Sequence, residues 1–477
     1  MAGNTVPTPE RLTRSIWAWA LLGLTAVRLV VAGSAPLSPD EAYYWVWSKA
    51  LAPGYLDHPP MVALWIRMGT ALLGDSALGV RLFGPLAAAA GSVLLVRAGD
   101  ALRPGSGVRA AVLLNATLML GAGSVTMTPD TPLIFFWTVA LYALVRIATG
   151  GDGWWWLVVG AASGLGLDSK YTAALLGVGI ALWLLGPMRG ALRTPWPWAG
   201  GALALALFAP VVWWNAGHHW ASFVKQGGRT GDFAPGRAAV FLGELLMGQM
   251  GLATPAVFAL MAAGSLAAVR RWRAVGPCLL AALIVPGAVV FVQHALGDRV
   301  QANWVAVLYP AAALAGARYA RWVWPAAAVG FGLTALLYVQ ASLAPLPLPR
   351  ALDPTMRLAG FEGLAAQAAA VPDVAFLAAE EYGLGGLLAF HQGLPVVAAA
   401  PRWRLFDLAA PVPGASGLLV VSVRRREGPD PALWQSVEAA GTATRGRGGV
   451  VAETYRLYRV TLRPGAPAAV LPSRSLP

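Results

Sequence analysis

Apolar runs of the length that crosses a bilayer recur through the first 343 residues, and this recurrence constrains the 477-residue chain more than any other feature. A helix needs roughly 20 predominantly apolar residues to span the hydrocarbon. Inside that layer each backbone amide must find its partner within the protein, so such runs fold as packed helices. The hydropathy predicts spans near 15–33, 78–97, 108–127, 132–148, 154–168, 171–187, 197–214, 239–268, 276–294, 302–317 and 322–342. The first follows Arg11 and Arg14 and is too long for a signal-peptide core, so it reads as a retained anchor. Pro345, Pro347 and Pro349 end the helical pattern, because proline lacks the amide that a helix interior needs. Beyond them the charge density rises, with strand-like runs at 374–378, 394–399, 417–423 and 450–460 and helical segments near 357–370 and 382–391. The expected fold is a polytopic α-helical membrane protein with about 11 or more transmembrane helices over residues 1–343, followed by a small C-terminal α/β domain over 344–477.

The charge is unevenly placed. With 35 Lys+Arg against 22 Asp+Glu the chain carries +13, which in a soluble domain would point to nucleic acid. At 57% hydrophobic and 12% charged residues it points to topology instead. With a cytoplasmic N-terminus, the alternate loops hold Arg97, Arg103, Arg109, Arg146, Arg189, Arg193, Arg270, Arg271, Arg273, Arg318 and Arg321, as the positive-inside rule requires. Asp40, Glu41, Asp57, Asp75, Asp130, Asp168, Asp232 and Asp298 fall at or beyond the opposite ends, together with Lys49, Lys170 and Lys225. Carboxylates hardly influence insertion, so their concentration on one face suggests a polar site there. An odd number of spans places 344–477 on that same outer side, periplasmic if the cell has an outer membrane. The single Cys278 excludes an intrachain disulfide and a CxxC metal site. No nucleic-acid partner is expected.

The densest polar segment is the first outer loop, residues 34–77, with Ser38-Pro39-Asp40-Glu41-Ala42-Tyr43-Tyr44-Trp45 and then Gly54-Tyr55-Leu56-Asp57-His58-Pro59-Pro60. Ser38-Pro39-Asp40-Glu41 has the form of a helix start, where carboxylates meet exposed amides, and capping alone would explain them. Asp57-His58 and the amphipathic run 61–73 add titratable groups beside an interfacial helix, a setting suited to a substrate with a lipid tail and a polar head. In the distal domain the Gly383, Gly385, Gly386 cluster lacks the strand-to-helix context of a phosphate loop and reads as a turn or helix start.

The combination of SPDEAYYW, the Gly-Tyr-x-Asp-His-Pro-Pro loop, TPDTPLIFFW at 128–137, GLGLDSKYTA at 164–173 and WNAGHHWASF at 214–223 resembles the bacterial family-39-like membrane glycosyltransferases. These are relatives of the protein O-mannosyltransferases and of the transferases that place aminoarabinose or galacturonic acid on lipid A. The resemblance covers most of residues 35–310. It implies the GT-C architecture, a site in outward loops, a polyprenyl-phosphate-linked sugar as donor and a lipid or glycan acceptor at the outer face of the bacterial inner membrane. It also implies inverting transfer, with Asp40 as the base that removes the acceptor proton and Glu41 as its helper or orienter.

Developing negative charge on the leaving phosphate must meet cations or oriented dipoles. Lys170 is the first candidate for that clamp, with Tyr171 adjacent and Arg81 and Arg229 as further candidates; a lysine at a span end also snorkels to headgroups. Asp130 matches the second acidic position of the family and would hold sugar, acceptor or a loop cation, its competing role being a turn residue beside proline. Asp57 and His58 complete the expected substrate contacts. Related lipid A transferases often carry lysine before the Pro-Pro pair where this chain has His58, which weakens a transfer of aminoarabinose specificity. His58, His218, His219 and His294 lie on the outer side and with the carboxylates could ligate a divalent cation, but no HExxH-type spacing exists and no metal ligands are assigned. Trp213, Trp214 and Trp220 read as an aromatic belt rather than a sugar platform.

A transporter or flippase is the alternative activity. It calls for ionisable groups at mid-membrane depth and for internal repeats, whereas only Glu244 and Arg28 are clearly intramembrane and no repeat is evident. A binding or assembly subunit acting through the α/β domain is a second alternative.

Overall fold

The computed structural model describes residues 9–474 except 228–232, 234, 413 and 426. Its helices are α1 (Pro9–Ser34), α2 (Pro39–Lys49), α3 (Met61–Leu73), α4 (Ala77–Arg81), α5 (Phe83–Leu102), α6 (Gly107–Asn115), α7 (Leu118–Gly123), α8 (Asp130–Ala148), α9 (Trp155–Leu167), α10 (Ala174–Leu185), α11 (Trp196–Gly217), α12 (Ala221–Gly227), α13 (Pro235–Ala253), α14 (Pro255–Val269), α15 (Val275–Ala295), α16 (Tyr309–Gly316) and α17 (Ala320–Ser342). The remaining residues add α18 (Phe361–Ala369) and α19 (Tyr382–His391) to strands β1 (Leu377–Ala379), β2 (Val396–Ala399), β3 (Ser416–Ser422), β4 (Trp434–Arg447), β5 (Val450–Leu462) and β6 (Ala468–Leu471).

Six segments among the described residues are long and apolar enough to cross a membrane: 16–34, 77–102, 130–148, 196–217, 275–295 and 320–342. The chain is therefore a multi-pass membrane protein. The expected span 239–268 is two helices, α13 and α14, which meet at 107°. Thr254 between them has φ +66°, and Pro255 follows, removing a helical amide and pushing its predecessor out of the helical region. With that bent pair counted as one span the number is seven, and the runs at 155–167, 171–185 and 302–316 form shorter apolar helices. The run at 108–127 is also interrupted, because Thr117 caps α7 by accepting the Leu120 amide at 3.1 Å. Arg28, fully buried in α1, is met by the Asn115 amide oxygen at 2.8 Å, and Asn115 in turn donates to Ser92.

The sheet has the order β4-β5-β3-β1-β2-β6, with β1 parallel to both β2 and β3 and the outer pairs antiparallel. Sequence patterning misses β4 and β6. The β4 segment is polar and Gly/Ala-rich, and its place is set by pairing along β5 across a turn where Gly448 and Gly449 take φ of +57° and +78°. Helix α19 lies between this sheet and α2. Its glycines start a helix and allow that approach: a Cβ on Gly383 would come within 2.6 Å of Pro39, and one on Gly386 within 2.8 Å of the Ala42 backbone.

A buried ion pair joins the elements beneath α2. Glu41 and Arg81 are both 0% exposed. Arg81 meets the two carboxylate oxygens through Nε and Nη2, the latter at 2.8 Å, and also donates to the carbonyl oxygens of Ala32, Ala35 and Pro36. The Glu41 carboxylate accepts the Ser38 and Met127 amides, each at 2.9 Å. Burial would raise the Glu41 pKa, but Arg81 and these hydrogen bonds outweigh it and hold the group below the usual carboxylate range. Removing either partner strands the other charge. Arg81→Ala and Glu41→Ala should each lower stability by about 3–5 kcal/mol, whereas the apolar double replacement Glu41→Leu/Arg81→Met should lower it by less than the sum. Unfolding titrations of the purified protein in mixed micelles check this, and additive losses would exclude the coupling.

Candidate active site

Asp40 occupies the first turn of α2, which starts as its sequence predicts. Ser38 caps the helix by accepting the Glu41 amide at 3.2 Å, Glu41 returns the bond to the Ser38 amide, and Pro39 sits in the first turn. Adjacent residues on a helix point about 100° apart. Asp40 consequently faces a cavity of about 710 Å³ while Glu41 faces away into its pair with Arg81. Neither Glu41 nor Arg81 lines the cavity. This corrects the expectation that Glu41 helps within the reacting site, leaving it the orienting role, and that Arg81 clamps a phosphate: Arg81's donors are taken by Glu41 and three carbonyls. Arg229 lies outside the described residues.

The cavity brings together Asp40, Asp57, His58, Asp130, Lys170 and Tyr171 from four separate stretches of chain. Lys170 Nζ lies 2.7 Å from Asp130 Oδ1, and Asn303 Nδ2 donates to Asp130 Oδ2 at 2.7 Å. Tyr171 shares a 2.8 Å hydrogen bond with Ser222, beside the buried Asn215 of the WNAGHHWASF segment. Its ring packs edge-on against Phe223. Leu167, Leu175, Phe208, Val290 and Phe291 line the same cavity and give it an apolar wall.

The three lysines all find carboxylates: Lys49 pairs with Asp75 at 2.7 Å, Lys170 with Asp130, and Lys225 with Asp57 at 2.6 Å. Asp57 is bound from both sides. Arg402 reaches its other oxygen at 2.9 Å, and Tyr43, which accepts from Arg402 at 3.1 Å, donates to it at 2.9 Å. Burial alone would raise the Asp57 pKa, but Lys225, Arg402 and Tyr43 hold the carboxyl below its ordinary value.

The sheet domain supplies Arg402 and Tyr382, neither of which carries a motif signal. Arg402 stacks over the Tyr382 ring at 4.4 Å, and Tyr382 donates to Asp40 Oδ1 at 3.2 Å. Asp40 remains open to the cavity, yet the surrounding walls remove enough water to raise its pKa; the Tyr382 hydrogen bond opposes that rise, and the charges of Glu41 and Asp57 reinforce it. Of the histidines, His58 and His294 line the cavity. His218 stacks on Trp214, whose indole covers Gly54 so closely that a Cβ there would lie 2.7 Å away. Trp214 is thus a packing residue, while Trp213 and Trp220 are exposed as belt residues are. Among the described residues no three His, Cys, Asp or Glu side chains converge as metal ligands.

Residues 57–214 match the family model described as dolichyl-phosphate-mannose-protein mannosyltransferase. A 208-residue stretch is 33% identical to the lipid A galacturonosyltransferase RgtD of Rhizobium johnstonii (strain DSM 114642 / LMG 32736 / 3841), covering 42% of this chain and 43% of that relative. The chain thus spans less than half the length of the curated relative it matches. The fold is similar to that of ArnT from Cupriavidus metallidurans bound to undecaprenyl phosphate, with a TM-score of 0.63, 15% identity and coverage of 93% of this chain and 98% of that one. The same protein in the apo state gives a TM-score of 0.61 at 16% identity, covering 94% of this chain and 98% of that one.

Arg402→Gln should loosen the loop around Asp57 by about 1–3 kcal/mol, the range for a hydrogen bond to a charged group. Hydrogen exchange should rise at 54–60 and near 402 and stay unchanged in α8 and α15; uniform exchange across all four regions would show that the bridge does not hold the loop.

Proposed function

For a multi-pass membrane protein with the GT-C fold and a segment matching the mannosyltransferase family, we propose inverting sugar transfer from a polyprenyl-phosphate-linked donor to an acceptor. The acceptor is a lipid A or core glycan, another envelope lipid or a protein, on the outer face of the inner membrane. The observation that carries this reading is the placement of Asp40. It is a carboxylate open to a large cavity, with its proton affinity raised, above an apolar wall suited to a lipid tail. The match to RgtD and the fold shared with an undecaprenyl-phosphate-bound ArnT support the donor class. In this proposal the N-terminus is cytoplasmic and the sheet domain lies on the outer side, with residues 1–343 as the catalytic membrane part and 344–477 as its cap.

Asp40 takes the proton of the acceptor hydroxyl as that oxygen attacks the anomeric carbon from the face opposite the phosphate. The bond from carbon to phosphate oxygen breaks, the configuration inverts, and the carrier leaves as a phosphate monoester. A base works best with a pKa near the working pH, and burial moves Asp40 in that direction. Lys170 supplies ammonium donors beyond the one Asp130 takes, and with His58 and Tyr171 it is placed to meet the phosphate; Asp130, held by Lys170 and Asn303, is the sugar- or acceptor-side carboxylate. Asp57 positions the loop that carries His58.

The transporter alternative is less well supported. Glu244 pairs with Arg299 at 2.7 Å at a partly exposed position, and Arg28 is held by Asn115, so neither faces the cavity.

Asp40→Asn should lower transfer of a labelled sugar from polyprenyl phosphate by about 10²–10⁴-fold with the fold intact. Full activity would eliminate Asp40 as the base. The acid limb of the kcat/KM profile should lie above the ordinary aspartate value of 3.8, because a raised pKa means that the basic form is lost at higher pH. Tyr382→Phe removes a hydrogen bond that favours the carboxylate, so this limb should move further up; a shift to lower pH would contradict the arrangement.

A further inference from the structure

The end of the bundle opposite Asp40 holds a second cavity, of about 520 Å³. Three helical stretches connect the two. α8 begins at Asp130 in the first cavity and ends beside Thr149 in the second, α15 runs from Gly276 and Pro277 to His294, and the run from Asn303 through α16 ends beside Arg318. The 19 residues of α8 make it about 28 Å long, one hydrocarbon thickness. The two cavities therefore open at opposite membrane faces.

The second cavity is lined by Arg103, Arg271 and Arg318 with Ser106 and Thr149, and by no aspartate or glutamate among the described residues. None of its guanidiniums forms an ion pair among the described residues. Of the acidic residues close by in sequence, Asp100 is engaged by the Gly107 amide at 2.9 Å and Asp152 is exposed to solvent. The cavity floor is apolar, with Leu102, Leu280 and Leu314. The glycines of the lining mark where helices approach closely around the cavity: a Cβ on Gly264 would run into the Ala315 backbone and one on Gly99 would lie 2.6 Å from Gly107. Three uncompensated guanidiniums over an apolar floor, at the depth of the headgroups, form a recess for a phosphate joined to acyl chains.

We infer that this recess binds the phosphate headgroup of an anionic membrane lipid, at the face opposite the catalytic cavity. The lipid neutralises the three arginines and seats its chains against Leu102, Leu280 and Leu314, stabilising that end of the bundle. Nothing in this assignment depends on the glycosyl-transfer reading.

Native mass spectrometry of the full-length protein in detergent, titrated with phosphatidylglycerol, phosphatidylcholine or inorganic phosphate, tests it. Phosphatidylglycerol should bind at least about tenfold more tightly than phosphatidylcholine, and the preference should weaken as salt rises. Arg103→Gln, Arg271→Gln and Arg318→Gln should each reduce phosphatidylglycerol affinity about fivefold, while Arg270→Gln/Arg273→Gln, outside the cavity, should not. Equal binding of the two lipids by the wild-type chain would overturn the proposal whether or not the variants fold, as would variants that keep the preference. If millimolar inorganic phosphate displaces phosphatidylglycerol completely, the arginines serve a soluble phosphate and the lipid assignment fails.

Discussion

The ion pair between Glu41 and Arg81 is the fixed point from which the end of the bundle around the Asp40 cavity is built. Two fully buried opposite charges are tolerated only when every polar atom is met, and here the amides of Ser38 and Met127 and three carbonyls, of Ala32 in α1 and of Ala35 and Pro36 just beyond it, complete the set. The result ties α1, α2, α4 and the segment before α8 at one point. Asp40 is the residue beside Glu41, so its direction is set by an interaction in which it takes no part. The segment carrying Met127 leads within three residues to Asp130, so the same pair also sets the second carboxylate of the cavity.

A second layer of control comes from the sheet domain. Helix α19 rests on α2 through Gly383 and Gly386, bringing Tyr382 to Asp40, while Arg402 closes on Asp57 and Tyr43. Asp40 and Asp57 of the first loop then diverge in proton affinity. Asp57, held by two cations, stays ionised as a structural anion. Asp40, without a cation, is shifted upward by lost hydration. Different neighbours give two aspartates of one loop different work, one fixing geometry and the other available for proton transfer.

Much of the site is legible in the sequence because its residues lie in short polar segments between apolar runs. Asp40, Asp57, His58, Asp130, Lys170 and Tyr171 all come from such segments, and all line one cavity. The residues that local pattern misplaces are charged groups whose partners lie far away along the chain. Arg81 looks available for phosphate because sequence shows its charge and not the carboxylate 40 positions away that occupies it. Tyr382 and Arg402 carry no signal, since nothing local distinguishes them from surface residues until the sheet brings them across more than 340 positions.

The sequence by itself determined the features that arise from composition and local pattern: a membrane bundle, the capped start of α2, and a distal α/β domain. These depend on hydration and on periodicities of two to four residues, which the chain displays openly. Only the tertiary structure decided that one of two adjacent acids faces the cavity and that the distal domain reaches that acid through Tyr382. Each of those outcomes is settled by which groups share a dry interior. Inside it an unmet charge is too costly to persist, so long-range pairing rather than local preference fixes where Glu41 and Arg81 point.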